Sequence, residues 1–212
     1  MLTRNRIITA AMELIEAEGP QVPSMTRLAT ELGCGLIPLY RHVPSTSALL
    51  DGIAATIMSG VDAAPSPGPG PAWTDQVRAQ ARTIRQAARA YPRCSVAVAG
   101  REPATAAMLR PAEHALDTLR TAGFGGRDAV RIVRVVAAYL TGTLLHEVGG
   151  TARPGADFDG DARHPRLRPG EFPQITSLAA ELADADPDAD FELGLDLLVS
   201  GMEALLAVRT GG

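Results

Sequence analysis

The sequence of 212 residues contains no lysine, so arginine supplies all 20 of its basic side chains. These are outnumbered by 24 Asp and Glu residues, which gives a net charge of −4. The chain therefore lacks the concentrated positive charge on which non-specific binding to nucleic acids depends. A site-specific DNA-binding protein is compatible with this charge if its acidic residues lie away from the DNA. Because lysine is absent throughout, we attribute its absence to coding bias.

Cysteine and long apolar runs are also scarce. The two cysteines, Cys34 and Cys94, have no metal-ligand spacing, which is typical of free thiols in a reducing cytoplasm. Polar residues interrupt the first apolar residues, unlike those of a secretory signal. No run approaches the roughly 18 consecutive apolar residues that a membrane span needs. We therefore expect a cytoplasmic protein that does not bind a membrane.

Hydrophobic residues make up 46% of the chain, enough for a substantial core, and they recur at helical spacing. No segment alternates in the manner of a strand, so the sequence predicts an all-α fold. The expected helices cover about 3–18, 25–32, 36–43, 47–61, 73–91, 103–123, 128–148, 174–183 and 189–208, with a short segment at 94–99. Two Pro- and Gly-rich stretches separate them. The stretch at 63–72 is a connection, and the longer one at 149–173 is typical of a functional or mobile loop.

The residues from Ser24 to Leu50 carry the most informative pattern. Met25 and Leu28 mark the apolar face of one short helix, and Gly33 provides the left-handed conformation that a helix end favours. A second helical period follows from Leu36. A helix, a glycine-containing turn and a second helix form a helix-turn-helix, whose second helix enters the major groove of DNA.

Two long helices in the second half are strongly apolar. The helix at 128–148 is expected to be buried on more than one side. In the last helix, a seam repeats with spacings of 4, 3, 4 and 3, which is typical of helix–helix interfaces; it comprises Phe191, Leu195, Leu198, Met202 and Leu205. Such a seam is either internal core or a dimer face. We favour a dimer face, with Gly194 and Gly201 permitting close approach.

These residues resemble the TetR family of transcriptional repressors along nearly the whole chain. In the first half the resemblance rests on Ile7-Ile8, Ser24-Met25, Leu28-Ala29, Leu39-Tyr40-Arg41-His42-Val43 and Leu49-Leu50-Asp51. In the second half it rests on Trp73, Gly100, Pro103, Ala122-Gly123-Phe124, Thr141-Gly142 and Phe191-Glu192. The resemblance implies a DNA-binding domain at 1–46 and a ligand-binding and dimerisation domain at 47–212 that begins with a linker helix at 47–61. It also implies a homodimer through the 128–148 and 189–208 helices, a palindromic double-stranded DNA operator and a small-molecule inducer.

Carried over residue by residue, the resemblance predicts a DNA-binding face of Thr26, Arg27, Leu36, Ile37, Pro38, Tyr40, Arg41, His42 and Thr46. Tyr40 and His42 are expected on phosphates, which position the protein without specifying sequence. Thr46 stands where the family usually has a phosphate-binding lysine. Leu36, Ile37 and Pro38 can contact thymine methyl groups but cannot form bidentate hydrogen bonds with bases. Arg27 and Arg41 are expected to supply much of the electrostatic attraction.

The same resemblance, to the tetracycline-repressor branch, predicts ligand-facing residues at Gln80, Ile84, Val98, Glu102, Pro103 and His146. Val98 stands where that branch has a metal-binding histidine. Valine cannot bind a metal, so we expect an organic ligand and neither a metal nor a cofactor. His146 is about equally compatible with a core histidine and a ligand contact. His114 and Met108 have the same ambiguity, with core packing favoured for Met108.

Other signals are weaker. An Asp-rich stretch from Asp157 lacks the glycine and glutamate of an EF-hand loop at the sixth and twelfth positions, so a solvated acidic loop is favoured. No nucleophile motif supports an enzyme. The leading hypothesis is a ligand-responsive repressor. The alternative is a ligand- or partner-binding dimer that has lost specific DNA binding, as its apolar recognition helix and missing lysine allow.

Overall fold

The computed structural model describes residues 1–62, 72–148, 172–184 and 186–210. Within these ranges all regular secondary structure is helical, which confirms the all-α prediction. The helices are α1 (Arg4–Glu18), α2 (Met25–Glu31), α3 (Leu36–His42), α4 (Thr46–Asp62), α5 (Trp73–Ala90), α6 (Pro92–Val98), α7 (Ala106–Thr121), α8 (Gly126–Val148), α9 (Pro173–Ser177), α10 (Ala179–Ala183) and α11 (Pro187–Thr210).

Helices α1 to α3 form a three-helix head. The side chains of Thr3 and Ser24 cap α1 and α2, each by accepting a hydrogen bond from the backbone N–H three residues further along the chain. The centre of the head is fully buried and includes Ile7, Ile15, Leu28, Leu39 and Val43. Because one side of α3 is anchored in this core, the opposite side of the helix faces outward.

The turn between α2 and α3 depends on Gly33. Its φ of 61° lies in the left-handed region, which glycine reaches without steric cost. The following N–H of Cys34 reaches back to the carbonyl of Ala29 at 3.0 Å. Gly33 therefore ends α2 as the sequence predicts and sets the direction of α3.

Helix α4 packs against both the head and the helices that follow it. Leu49 and Ile53 are fully buried in the head core, while Met58 packs at its edge. Gly52 lies so close to α1 that an added Cβ would stand 2.5 Å from Ile8 Cδ1. Ser45 caps α4, since its Oγ accepts the N–H of Ala48 at 3.1 Å.

A second hydrophobic core joins α5, α7, α8 and α11. It is centred on Val77, Leu119, Phe124, Phe191 and Leu195, and Trp73 packs edge-on against Phe124 at 5.5 Å between ring centroids. Helix α7 begins at Ala106 with Thr105 as its cap, not at Pro103, and contains Pro111 within it. The predicted helix at 174–183 is divided into α9 and α10 by Leu178.

The expectation that the α11 seam is a dimer face is wrong, and α8 is covered on fewer sides by its own subunit than its composition suggests. Only Ala129 and Ile132 of α8 are fully buried, and Val135 is 52% exposed, so this helix is covered mainly on one side. The seam of α11 faces the core of its own subunit, because Phe191, Leu195 and Met202 are all buried. The outward face of α11 instead carries Leu193, Leu197 and Val208, which are 62%, 66% and 75% exposed.

Helix α8 also has the length and apolar composition of a membrane span, with a mean hydropathy of 1.3 over its most apolar part. Arg131 and Arg134 interrupt it on the exposed side. Most of the connection at 63–72 and nearly all of the loop at 149–173, including the Asp-rich stretch from Asp157, lie outside the described residues.

Candidate functional site

The predicted DNA-binding residues lie on α2, on α3 and at the start of α4. All of them are exposed except Arg27, which is half-buried: Thr26, Leu36, Ile37, Pro38, Tyr40, Arg41, His42 and Thr46. Leu39 and Val43 point into the head core, which leaves the rest of α3 free to meet a partner. The structure thus presents the predicted residues on the outer surfaces of these elements.

The tip of α3 is apolar. Leu36 is 40% exposed and Ile37 is 79% exposed, while Gly35 caps the helix without a side-chain hydrogen bond. Together these two side chains give the helix tip a small apolar surface. In a major groove, they match the methyl group of thymine.

The guanidinium of Arg27 is already paired. It lies 2.9 Å from a carboxylate oxygen of Glu18 and 2.7 Å from one of Glu31. Hydrogen bonds to Glu31 and Glu18 raise the pKa of Arg27. Because two carboxylates surround one guanidinium, the local charge is negative, and Arg27 offers less attraction to phosphate than the sequence predicts.

Two adjoining cavities, each of about 230 Å³, lie between the head and the second core. They share lining side chains of Met58, Ile84, Pro103, Met108 and Leu140. The first, which we call the Gln80 cavity, has no charged side chain among its described lining residues, and the amide nitrogen of Gln80 donates to the Pro111 carbonyl at 2.6 Å.

The second, which we call the Arg101 cavity, is lined from α4, α5, α6, α7, α8 and the loop after α6. Its polar side chains are Arg85, Ser95, Arg101 and Thr141. Ser95 donates its hydroxyl to the Ala88 carbonyl at 3.1 Å and is thereby satisfied. Both charged lining residues are arginines.

The cavities bring together four of the six predicted ligand residues. Ile84 and Pro103 line both cavities, Gln80 lines the first and Val98 the second. Glu102 is exposed and lines neither. His146 is exposed and lines a separate groove of about 580 Å³ between α8, α10 and α11. Met108 lines both cavities, and His114 is exposed.

Arg85 was not among the predicted site residues. Its guanidinium lies 2.7 Å from Glu147 and 2.8 Å from Asp188, and 4.4 Å from the centroid of the Phe191 ring. Side chains of Arg85 and Glu147 are only 12% and 13% exposed. These contacts tie α5, α8 and α11 together at the edge of the Arg101 cavity. In sequence, Arg85 resembles any arginine on the flank of an amphipathic helix.

Arg101 joins its cavity to the linker helix. Its Nη2 donates to Asp51 Oδ1 at 2.7 Å and to Ser47 Oγ at 2.8 Å, both in the first turns of α4. The Nε of the same side chain is buried and has no hydrogen-bond partner among the described residues. Because Arg101 lies in a loop with no periodic pattern, the sequence gives no signal for this contact.

The other end of α6 is also attached to the head. The Glu16 carboxylate of α1 accepts the backbone N–H of Cys94 at 2.8 Å, and Arg93 Nη1 donates to the Glu16 carbonyl at 2.6 Å. Helix α6 therefore contacts α1 at its beginning, while the loop at its end contacts α4.

Side chains able to hold a metal ion do not cluster in the described part of the chain, where no three His, Cys, Asp or Glu residues come together. Val98, which has no metal-binding group, lines the Arg101 cavity. The cavity lining suits an organic molecule with an apolar body and few polar groups.

Comparisons with known proteins agree with this architecture. The sequence profile of the family described as "Tetracyclin repressor-like, C-terminal domain" matches residues 64–206. Tetracycline repressor protein class A from transposon 1721 of Escherichia coli is 30% identical over 95% of this chain and 90% of its own.

Solved structures show the same fold. The TetR family protein ActR of Streptomyces coelicolor, in complex with actinorhodin, superposes with a TM-score of 0.77 at 28% identity, covering 97% of this chain and 99% of that one. A TetR variant from Acinetobacter baumannii AYE, in complex with minocycline, gives 0.74 at 27% identity, covering 97% and 95%. The helix-turn-helix head, the cavities behind it and these matches show that the chain belongs to the TetR family of transcriptional regulators.

Proposed function

We propose that this chain is a ligand-responsive transcriptional repressor that binds a palindromic DNA operator as a homodimer and leaves it when a small organic molecule binds. The observation that carries the proposal is the direct attachment of the cavity wall to the head. Arg101 donates a hydrogen bond of 2.7 Å to Asp51 of α4. Glu16 of the head accepts one of 2.8 Å from the backbone N–H of Cys94 in α6. The curated relatives are transcriptional repressors, which supports a protein that acts by binding, in the cytoplasm.

In this proposal residues 1–46 form the DNA-binding domain, and α3 lies in the major groove. Tyr40, His42 and Thr46 contact phosphates, while Leu36 and Ile37 meet thymine methyl groups. Such contacts favour an operator with A·T pairs at the centre of each half-site. Since few cations face the DNA, we expect affinity to depend on salt through fewer than about six phosphates.

The dimer forms through α8 and α11. Their outward faces carry large exposed apolar residues that single chains rarely leave uncovered: Val130, Val135, Leu145, Leu193, Leu197 and Val208. Two copies of α8 and α11 make a four-helix bundle. The bundle positions the two heads so that their α3 helices enter adjacent major grooves. Dimers are typical of the family, which supports the arrangement.

The inducer occupies the Gln80 and Arg101 cavities. ActR and the Acinetobacter TetR variant were solved in complex with actinorhodin and minocycline respectively. The two cavities of this chain are lined mainly by apolar side chains, with Gln80 and two arginines among the polar groups. This lining supports an organic ligand for this chain as well. Ile84 and Val98 supply apolar contacts, and Pro103 lines both cavities. Glu102 and His146 join the site only if ligand binding moves them.

Selection of DNA sites from a random library with the purified protein tests the proposal. An enriched palindrome with A·T-rich half-sites is expected. A second candidate function, a ligand- or partner-binding dimer without specific DNA binding, is favoured by the apolar tip of α3 and by the neutralised Arg27. Absence of any enriched site, in a protein shown to be folded and dimeric, would establish this second function.

The pairing of Arg27 provides a direct prediction about DNA affinity. Replacing Glu31 by Gln removes one of the two carboxylates beside Arg27 and frees the guanidinium for phosphate. We expect Glu31→Gln to tighten operator binding by about two- to fivefold, a modest change because exposed ion pairs are weak. Mobility-shift titrations measure this, with Glu13→Gln as the control for loss of a negative charge on the head. Equal tightening in both variants would show that only net charge matters.

A further inference from the structure

The Arg101 cavity has an unbalanced set of charges. Among its described lining residues only Arg85 and Arg101 are charged, so this part of the lining contains no carboxylate. Arg85 is balanced by Glu147 and Asp188 from α8 and α11. Arg101 has a single carboxylate partner within the described ranges, Asp51, which belongs to the linker helix. Of the two arginines, Arg101 is therefore the one with capacity for another anion.

The hydrogen bonds of Arg101 are distributed unevenly over its guanidinium. Nη2 has three acceptors within 3.4 Å, namely Asp51 Oδ1, Ser47 Oγ and the Ser47 carbonyl. Nε, on the same edge of the guanidinium, is buried without any acceptor in the described residues. A buried N–H with no acceptor is costly. A carboxylate on this edge would engage Nε and Nη2 together, as Glu192 does with Arg82 in the same protein.

We propose that Arg101 is the residue through which this protein senses an organic anion: a carboxylate or phenolate in the Arg101 cavity takes the guanidinium from Asp51 and Ser47 and so releases the linker helix. The apolar part of the ligand lies against Ile84, Met108 and Leu140. This inference rests on the proposed function, because it names the ligand class and the coupling residue of the same cavity. The contact of α6 with Glu16 stays in place, so α4 moves relative to α6.

The competition between Asp51 and the ligand makes opposite predictions for the two partners. Removal of Arg101 removes the anion's partner and weakens binding. Removal of the Asp51 carboxylate frees Arg101 and strengthens binding. A purely structural role for the ion pair predicts the same direction for both changes, since either one disrupts the same contact.

The experiment measures binding of 2-naphthoate and of its uncharged analogue 2-ethylnaphthalene to the full chain by calorimetry. We expect the wild type to bind 2-naphthoate at least tenfold more tightly than 2-ethylnaphthalene. Arg101→Met should weaken 2-naphthoate binding tenfold or more and leave 2-ethylnaphthalene within twofold. Asp51→Asn should tighten 2-naphthoate binding threefold or more. Glu13→Gln, which changes an exposed carboxylate of α1, should stay within twofold.

Hydrogen exchange gives a second readout. Addition of 2-naphthoate should speed exchange at the backbone N–H groups of residues 47–51 in the wild type and not in Arg101→Met. If Arg101→Met does not fold, Arg101→Gln and Asp51→Asn carry the same comparison. Unchanged 2-naphthoate binding in the folded Arg101 variant would overturn the inference and leave the cavity's proposed function intact. Failure of both probes to bind the wild type would overturn both.

Discussion

Cys94 lies where α6 packs against α1 of the head, and the reactivity of its thiol measures how well this contact is buried. It is fully buried, and its Sγ lies 3.5 Å from the Met12 carbonyl of α1. Burial and then the Glu16 carboxylate raise the pKa of the Cys94 thiol from 9.0 to about 12. Because the thiolate is the reactive form, we expect Cys94 to react with DTNB at pH 8 about a thousandfold more slowly than an unperturbed thiol.

Cys34, which is partly exposed, serves as the internal comparison. The folded protein should show one fast thiol and the urea-unfolded protein two. Cys34→Ser should remove the fast phase and leave the slow one. Loss of the fast phase in Cys94→Ser instead would contradict the assignment of the buried thiol.

Gly194 has no room for a side chain, because Tyr139 of the same subunit lies against it. A Cβ there would lie 2.5 Å from the Tyr139 hydroxyl oxygen and 2.7 Å from Tyr139 Cε2. The Tyr139 ring stacks on Phe191 at 5.8 Å, and its hydroxyl donates to the Phe191 carbonyl at 2.7 Å. We expect Gly194→Ala to displace this ring and to lower the free energy of unfolding by about 1–3 kcal/mol, the usual cost of overpacking.

Gly201 is the matched control, since it lies further along α11 and no described atom lies within 4 Å of its built Cβ. Gly201→Ala should leave the subunit as stable or raise its stability by up to about 1 kcal/mol, through better helix propensity. Urea unfolding of both variants measures the difference. Equal stability of the two would show that Tyr139 adjusts without loss.

At the scale of helices, α5 and α11 are joined by a series of ion pairs. Arg78, Arg82 and Arg89 pair with Asp196, Glu192 and Asp188 at 3.0, 2.6 and 2.6 Å respectively. The hydrogen bond from Arg82 lowers the pKa of Glu192 below its ordinary 4.5. Hydrogen bonds from Arg89 and Arg85 lower the pKa of Asp188 in the same way. The α5–α11 contact is therefore strongest when both carboxylates are ionised.

This arrangement predicts a specific pH dependence. A carboxylate with a lowered native pKa stabilises the fold above its unfolded pKa, and that stability is lost as the pH falls through the native value. Glu192→Gln should therefore lower the free energy of unfolding at pH 7 by up to about 1 kcal/mol, because the pair is half-exposed. The difference from wild type should shrink below about pH 4. Urea unfolding at pH 7 and pH 3.5 measures it, and Glu203→Gln on the same helix should show no such change.

The sequence predicted most of the helices because periodicity and capping residues are local. Gly33 ends α2 where the pattern placed it, and Leu28 and Leu39 are buried as their spacing requires. The orientation of α11 could not be predicted in this way. A spacing of 4 and 3 is the same for a helix that faces its own subunit and for one that faces another copy.

The contacts between elements were harder to predict than the elements. Arg101 lies in a loop, and its partner Asp51 is 50 residues away, so no local pattern joins them. The same holds for Glu16 and Cys94, which are 78 residues apart. These pairs carry the proposed coupling between the cavity and the head. Sequence reasoning found the wall of the cavity at Ile84, Val98 and Pro103 through resemblance alone.

At the scale of the whole molecule, the proposed function requires two heads held at a fixed spacing. Single heads with few cations bind DNA weakly, and two joined heads gain from the high effective concentration of the second. The outward faces of α8 and α11 supply the dimer contact in this proposal. A substitution that separates the subunits should thus abolish operator binding without touching the DNA-binding face.

Leu197→Arg is the sharpest test, because Leu197 is 66% exposed on α11 and lies outside the buried core of the subunit. We expect this variant to be monomeric by sedimentation velocity at micromolar concentration, with helical content unchanged. Its affinity for the palindromic operator should fall at least about a hundredfold, since a charge buried at an apolar interface without a partner is strongly unfavourable. Leu109→Arg is the control: Leu109 is 53% exposed on α7, so the same change there should leave a dimer with normal operator binding. A dimeric Leu197→Arg together with a monomeric Leu109→Arg would place the subunit contact on α7 and overturn the α8–α11 bundle.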